Sequence, residues 1–452
     1  MRAWWWGLGL AALVAANGAA QSAPVAGKVR TLDHGLTARC VSMPNARGAC
    51  VVLALGVGAQ HDPDGAAGAA AMVGEALRLL AEPAPDAPSG ATPVALVEVS
   101  EPAILLSRTG PDPSGAASLA ALVELLRLAQ RSDDDLLERA RWRAALRADD
   151  ESELIPGPIL LNLARAGLLA GRGAARPVHG TVADIEVVDA GWLRQHLRAA
   201  LQPRCATLVL VGGRSVAALE ATVDRMFSEL EGPRGPCPSV ARHVRSSRAP
   251  TVRDHRRVAA PYAVHAWRSP EPEDASLPAF WLAMELVRAR AVKALGAARG
   301  HEFWADCPPM RYDPLLDPVA LVYRRARDGD QPDAVRAELA EFVADLRRDP
   351  PGAAEIEAAR ARLARQLGAP LVAVPGATVH PRALQPLARA LAIAALRRWP
   401  DDPEALARGV PGEAVLAALE AAQASDRTGV FVLVPRAPVA PVEATAPTGE
   451  PR

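Results

Sequence analysis

The chain has 452 residues, of which 50% are hydrophobic, 23% are charged and only 4% are aromatic. This composition is typical of a globular protein whose core is built mainly from Ala, Leu and Val, and the length predicts two or three domains. Basic and acidic residues number 51 each, so the formal net charge is zero. This balance excludes a general electrostatic affinity for nucleic acid or for an anionic membrane surface.

Residues 1–20 have the pattern of a secretory signal peptide. Arg2 supplies a short positive region, residues 4–16 are apolar, and Gly18-Ala19-Ala20 supply the small residues of a cleavage site. The apolar run is shorter than a bilayer-spanning helix requires, although an uncleaved membrane anchor is the alternative. No later segment has the length of a transmembrane helix. We therefore expect a periplasmic or secreted protein that is cleaved near Ala20.

Residues 28–230 are predicted to form one unit that begins with strands and continues mostly as helices. The predicted strands lie near 29–43, 49–57, 92–99, 102–108 and 206–212. The predicted helices lie near 66–81, 115–130, 133–148, 158–171, 188–201 and 214–230.

Residues 231–250 are rich in Pro, Gly, Ser and Arg and are predicted to be a linker. Residues 251–435 then repeat the order of the first unit, and residues 436–452 are predicted to be a disordered tail. The repeat predicts an α+β fold of two tandem homologous lobes. Each lobe is expected to be a mostly antiparallel sheet with helices packed on one face.

The five cysteines form no C-x-x-C pair, which argues against a zinc ribbon or a thioredoxin-type site. Cys40 and Cys50 flank a turn at Pro44-Asn45 in a predicted β-hairpin, where they could face each other. Export would permit a disulfide, and two buried free thiols are the alternative. Because the number is odd, at least one cysteine has no partner within the chain.

A strand that ends in Gly56-x-Gly58, an acidic residue at Asp62 and a helix that opens after Gly68 make up the most informative segment. Together they resemble the zinc-site segment of the insulinase/pitrilysin peptidases, the inverzincins. Four other segments resemble motifs of the same family more weakly, and they occur in the order in which the family has them. They are residues 32–38, 176–181, 206–213 and 295–300. The resemblance covers most of the chain and implies two lobes with a groove between them.

The resemblance places the family's zinc motif, His-x-x-Glu-His, on residues that cannot perform its chemistry. The first histidine falls at Ala71, the catalytic glutamate at Gly74 and the second histidine at Glu75. The third ligand falls near Ala148. The nearest histidine, His61, has no histidine partner at the required spacing and is expected to be a surface residue in the loop before the helix.

The second lobe lacks two further residues that the family uses to hold substrate and the developing oxyanion. The family's arginine falls at Gly296 and its tyrosine at Phe303, which keeps the ring and loses the hydroxyl. The resemblance therefore implies no catalytic residues, no metal and no cofactor in this chain.

Three functions remain open at this point. The first is a non-catalytic subunit that binds extended peptide in the groove, or that pairs with an active family paralogue or with itself. The second is a divergent zinc metalloendopeptidase that uses Glu75 with Asp149 or Glu151. The third is a structural scaffold subunit that binds its partner on its outer surface. Asp149-Asp150-Glu151 is otherwise expected to be a solvated helix end.

Overall fold

The computed structural model describes most of the chain. The described residues are 25–83, 93–153, 156–228, 236–239, 252–255, 258, 260–296, 310–311, 313–326, 330–367, 379–399, 402–424 and 427–435. The predicted signal peptide, the predicted tail and most of the predicted linker lie outside these residues, and the lobe boundaries stay predictions. Among the described helices, none combines the length and the apolar character needed to cross a bilayer.

The described strands form two sheets. The first sheet contains β1 Val25–Ala26, β2 Arg30–Thr31, β3 Thr37–Ser42, β4 Ala49–Leu55, β5 Leu96–Val99, β6 Ile104–Gly110 and β7 Ala206–Gly212. The second sheet contains β8 Val252–His255, β9 Tyr262–Arg268, β10 Met310–Arg311, β11 Val319–Arg325 and β12 Thr428–Pro435.

The helices follow the predicted order, and one short helix, at 182–186, was not predicted. Those before the second sheet are α1 Ala69–Ala81, α2 Ala116–Gln130, α3 Asp134–Glu153, α4 Pro156–Leu168, α5 Val182–Glu186, α6 Ala190–Ala200 and α7 Val216–Phe227. Those after its first strands are α8 Leu277–Gly296, α9 Pro332–Arg348, α10 Ala353–Gln366, α11 Gln385–Leu396, α12 Pro403–Arg408 and α13 Gly412–Ala421. Helix α3 continues beyond its predicted end at 148, because neither Gly nor Pro interrupts the sequence before Pro156.

The two sheets have the same topology, as the internal repeat predicts. The first contains the order β3-β7-β4-β6-β5, and the second has the order β8-β12-β9-β11-β10. In each of these orders the first strand pairs in parallel with the second, β3 with β7 and β8 with β12, and β7 and β12 are the last strands of their sheets in the sequence. The remaining neighbours in these two orders pair antiparallel. The α+β fold of two tandem homologous lobes is therefore confirmed.

Each sheet also receives one helix from the other half of the chain. Helix α4 contacts β9, β11 and β12, and its Leu160 shares a buried cluster with Phe431. Helix α11 contacts the corresponding strands of the first sheet, β4, β6 and β7, and its Leu391 shares a buried cluster with Val52. The exchange is reciprocal, and it covers the face of each sheet that the lobe's own helices leave open. Two of the three buried apolar clusters among the described residues therefore contain residues from both halves of the chain.

The predicted hairpin with Cys40 opposite Cys50 is wrong. Strand β7 lies between β3 and β4, so Cys40 pairs with Leu210 and Cys50 pairs with Val211. The two thiols are free and buried, in clusters on opposite faces of the sheet. Burial raises the pKa of each thiol to about 12, which makes both unreactive at neutral pH.

A disulfide joins Cys205, which immediately precedes β7, to Cys237, in the predicted linker. The Cα atoms of the two residues are 5.6 Å apart. This pairing is not predictable from the sequence, because 32 positions separate the two cysteines and nothing in the linker pattern fixes the path of the chain. The bond attaches this part of the linker to the first sheet.

Candidate functional site

Helix α1 carries the three positions that the resemblance assigns to the zinc motif. It begins after Gly68, whose φ of 103° lies in the left-handed region. A Cβ atom on Gly68 would lie 2.9 Å from Cγ1 of Ile185 and 3.1 Å from the carbonyl oxygen of His179. Both the backbone conformation and the available space therefore require glycine at the start of this helix.

The buried carboxylate of Asp62 holds the start of α1 in place. It accepts the backbone N–H of Gly68 at 2.6 Å and that of Ala70 at 2.9 Å, where the helix dipole favours a negative charge. The Arg176 guanidinium donates to the carbonyl oxygen of Asp62 and to the carboxylate of Asp64. Burial raises the pKa of Asp62 to about 7, against the opposing effect of these backbone N–H groups and of Arg176. The loop before α1 and the Arg176 turn thus form one unit.

Gly74, the position of the family's catalytic glutamate, has no room for a side chain. A Cβ atom there would lie 2.2 Å from Cγ2 of Val99, which ends strand β5. Val99 is itself buried and belongs to the core under α1. The close packing of β5 on the helix backbone therefore excludes a glutamate at this position.

We expect Gly74→Ala to lower the free energy of unfolding by about 1–3 kcal/mol, the usual cost of overpacking a core. Val99→Ala removes the obstructing methyl group, so adding Gly74→Ala to Val99→Ala should cost much less. Chemical denaturation of the four proteins measures this coupling. Gly412→Ala is the control, because the nearest atom to its Cβ would be Cδ1 of Ile356 at 3.6 Å. A Gly74→Ala protein as stable as the wild type would contradict the packing.

Glu75, the position of the second histidine, lies at the centre of a cluster of arginines. Its side chain is only 1% exposed. Arg78, one turn along α1, forms an ion pair with it, and Nε of Arg147 on α3 lies 2.8 Å from Oε1. Nε of Arg143 lies 3.7 Å from Oε2, and the same arginine also pairs with Glu82. The Glu75 carboxylate is therefore neutralised by guanidinium groups from two helices.

The second half of the chain contains a similar cluster at the corresponding place. Glu285 on α8 is buried, and it pairs with Arg288 one turn along the same helix, at 3.2 Å. Nε of Arg362 on α10 lies 3.8 Å from Oε2 of Glu285. The side-chain amide of Gln366 donates a hydrogen bond to Oε1 of Glu285 at 3.0 Å. Helices α8 and α10 correspond to α1 and α3 in the repeat. Because the cluster occurs in both halves, it is a structural feature of the repeated unit.

A cleft of about 620 Å³ opens over the Glu75 cluster, between α1 and α3. The lining comprises Glu75, Leu79, Arg139, Trp142, Arg143, Leu146, Arg147 and Asp150. Trp142 is 64% exposed and Leu146 is 47% exposed. The Oε2 atom of Glu75 is buried there without a hydrogen-bond partner, although the charge of Arg143 is near. The cleft combines positive charge with exposed apolar side chains.

A second cavity, of about 780 Å³, lies between the two halves of the chain. Its lining includes His61 and Glu101 from the first half and Arg268, Glu271 and Leu315 from the second. His61 lies in a short 3₁₀ turn before α1, as expected, but its exposure was predicted wrongly. The ring is half-buried, and its Nδ1 accepts the backbone N–H of Gly58 at 3.0 Å.

Burial lowers the pKa of His61 to about 4. In the unfolded chain the imidazole takes up its proton near pH 6.5, so the unfolded state binds more protons between pH 6.5 and 4. The free energy of unfolding should therefore fall as the pH falls through this window. His61→Asn keeps an acceptor for Gly58 and cannot be protonated, so its stability relative to the wild type should increase as the pH falls from 6.5 to 4. Urea denaturation at several pH values tests this, and a constant difference would contradict it.

Several solved structures share this architecture, whereas no family model and no curated relative matches the sequence. A protease from Helicobacter pylori superimposes with a TM-score of 0.71 at 13% identity, over 92% of this chain and 100% of that chain. The inactive domain of an M16 peptidase from Pseudomonas fluorescens superimposes with a TM-score of 0.66 at 14% identity, over 92% of this chain and 99% of that chain. The periplasmic protease PqqL from Escherichia coli superimposes with a TM-score of 0.60 at 14% identity, over 91% of this chain and 47% of that chain.

This chain has the insulinase-like fold of the M16 peptidases. At these sequence identities the likeness establishes the fold, and the chemistry has to be judged from the residues that the fold brings together.

The insulinase-like fold places α1 against α3 and so brings the four zinc-site positions into one region. Ala71 and Ala148 are buried there, and neither methyl group can bind a metal. Gly74 offers no side chain, and the Glu75 carboxylate is paired with arginines. These residues do not fit a zinc ion. Among the described residues, no three His, Cys, Asp or Glu side chains lie close enough together to hold a metal.

The acidic residues after Ala148 lie within the last turns of α3, rather than beyond its end. Asp149 is half-buried, and Asp150 is exposed at the edge of the cleft. The side chain of Glu151 lies outside the described residues. These residues therefore lie at the end of a helix, as predicted, although the helix extends beyond its predicted end at 148.

Of the two positions in the second lobe, only one is described. Gly296 is the last residue of α8. Phe303 lies outside the described residues, so the loss of its hydroxyl remains a statement about the sequence.

Proposed function

We propose that this chain is an exported, non-catalytic protein of the insulinase type that acts by binding rather than by hydrolysis. The Glu75 cluster is the single observation that carries the proposal. Hydrolysis in this family needs a metal-bound water and a base. At the zinc positions this chain has guanidinium groups paired with a buried carboxylate, and Val99 fills the space of the base.

The binding role has two forms, the capture of an extended peptide and the pairing with an active family member or with a second copy. An extended peptide can add as a strand to a sheet edge, and β5 is an edge strand of the first sheet. The cavity between the halves also offers space for a bound chain. The likeness to the inactive domain of an M16 peptidase supports a non-catalytic role in either form.

Export is supported by three observations of different kinds. The sequence begins with the pattern of a signal peptide. The Cys205–Cys237 disulfide is of a type that persists in oxidising compartments. One protein of similar structure is a periplasmic protease. We propose that the mature chain is periplasmic or secreted.

Affinity capture tests the pairing role. The full-length protein with a C-terminal tag is expressed in its own host, cross-linked in intact cells and purified from the cell envelope. We expect a zinc-bearing relative to be recovered with it, or a cross-linked dimer of the tagged chain. An unrelated tagged protein carrying the same signal peptide is the control. Recovery of the monomer alone would contradict pairing and leave peptide capture as the binding role to be tested.

A further inference from the structure

We propose that the cleft over Glu75 binds extended peptide segments in which acidic and large apolar residues alternate. This inference rests on the proposed function, since it names the class of peptide that a non-catalytic site would capture. The cleft lies between α1 and α3, and its lining combines three arginines with apolar side chains and includes one exposed carboxylate, that of Asp150.

The charged side of the cleft is a row of three arginines on α3. Arg139, Arg143 and Arg147 are four residues apart and therefore lie along the same face of the helix. Arg147 is engaged by Glu75, and Arg143 is shared between Glu75 and Glu82. Arg139 is exposed, lines the cleft and makes no ion pair with the described residues. The row therefore keeps donors that can pair with the carboxylates of a ligand.

The apolar side of the cleft is a parallel row on the same helix. Trp142 and Leu146 are also four residues apart, and both expose a large part of their side chains. Aromatic residues and arginine are the side chains enriched at protein interfaces, and this surface exposes both beside each other. The two rows offer a ligand charged contacts and apolar contacts side by side.

The spacing of the rows matches an extended chain. Residues four apart on an α-helix are separated by about 6 Å along the axis, and alternate residues of a strand are about 7 Å apart. A peptide lying along α3 can direct every second side chain toward the arginine row. The intervening side chains then point toward Trp142 and Leu146. This geometry selects acidic residues for the first set and large apolar residues for the second.

The Glu75 carboxylate adds a polar group at the floor of the cleft. Its Oε2 atom is buried and accepts no hydrogen bond. Because this atom is buried, its negative charge offsets the charges of Arg143 and Arg147, and it is not itself a contact for the ligand. A basic ligand would in contrast face the arginine row across a short distance, which disfavours it.

Fluorescence anisotropy tests the proposal with a short fluorescein-labelled peptide of alternating glutamate and leucine. Its matched peptides replace glutamate with lysine or leucine with serine. We expect the first peptide to bind at least tenfold more tightly than either matched peptide, and its Kd to rise with added NaCl. Arg139→Ala and Trp142→Ala should each raise this Kd about fivefold or more, because both side chains are exposed in the cleft where the ligand is proposed to lie.

Arg214→Ala and Val187→Ser are the controls, because each changes an exposed arginine or apolar residue outside the cleft. Thermal denaturation checks that all four variants remain folded. Equal binding of the acidic and basic peptides, or unchanged binding by both cleft variants, would overturn the proposal. Mass spectrometry of the bound peptide is a separate readout, because cleavage would overturn the non-catalytic function and leave recognition by the cleft standing.

Discussion

Glu75→Gln should lower the free energy of unfolding by about 3 kcal/mol. Glutamine keeps the shape of the side chain but removes the charge, which leaves Arg78 half-buried beside a neutral amide. Breaking a buried ion pair by removing one partner costs about 3–5 kcal/mol. We expect a cost at the lower end of this range, because the side chains of Arg143 and Arg147 are 35% and 40% exposed and water therefore screens their charges in part. Urea denaturation of the purified mature protein measures the change.

Glu82→Gln is the matched control for this prediction. It makes the same chemical change on a half-exposed residue that also pairs with Arg143. Exposed pairs contribute about 0–1 kcal/mol, so the control should stay close to the wild type. Glu285→Gln should also lower the free energy of unfolding, because the Glu285 cluster occupies the position in the second half that the Glu75 cluster occupies in the first. A Glu75→Gln protein as stable as the wild type would show that the cluster is not structural.

Cys237→Ser should lower the free energy of unfolding by about 3–4 kcal/mol under oxidising conditions. The Cys205–Cys237 bond restricts the unfolded chain over a sequence separation of 32, and the stabilisation by a disulfide grows slowly with such loop length. Cys237 is exposed, so its replacement removes little packing of its own. Denaturation of the oxidised wild type and of the variant measures the effect.

Dithiothreitol provides the control for the disulfide. A reductant should bring the wild type to the stability of the Cys237→Ser protein and should leave the variant unchanged. The buried thiols of Cys40 and Cys50 are present in both proteins and cancel in the comparison. Equal stability of the oxidised wild type and the variant would contradict the prediction.

The sequence predicts the secondary structure and the duplication because both depend on local signals. The hydrophobic period of α1 and the buried runs of β4 and β7 are visible in the residues themselves. The strand order is not visible, because pairing between β3 and β7 joins residues that are far apart in the chain. That long-range pairing is the reason the Cys40–Cys50 hairpin was wrong. The helix exchange was missed for the same reason.

The candidate site was only half predictable from the sequence. The resemblance located Ala71, Gly74 and Glu75, but it gave no account of what had replaced the metal. The spacing of Glu75 and Arg78 by one helical turn was a usable signal, and the same spacing recurs in Glu285 and Arg288. Arg147 could not be assigned without the packing of α3 against α1, which only the fold provides.

Metal content and peptide cleavage together test the central claim most directly. The mature protein is purified in the presence of zinc, and its zinc content is measured by elemental mass spectrometry beside cleavage of an unstructured peptide. We expect less than stoichiometric zinc and no cleavage, since the Glu75 carboxylate is paired with arginines and Gly74 leaves no base. One zinc ion per chain together with cleavage would contradict the account and place the ligands elsewhere in the sequence.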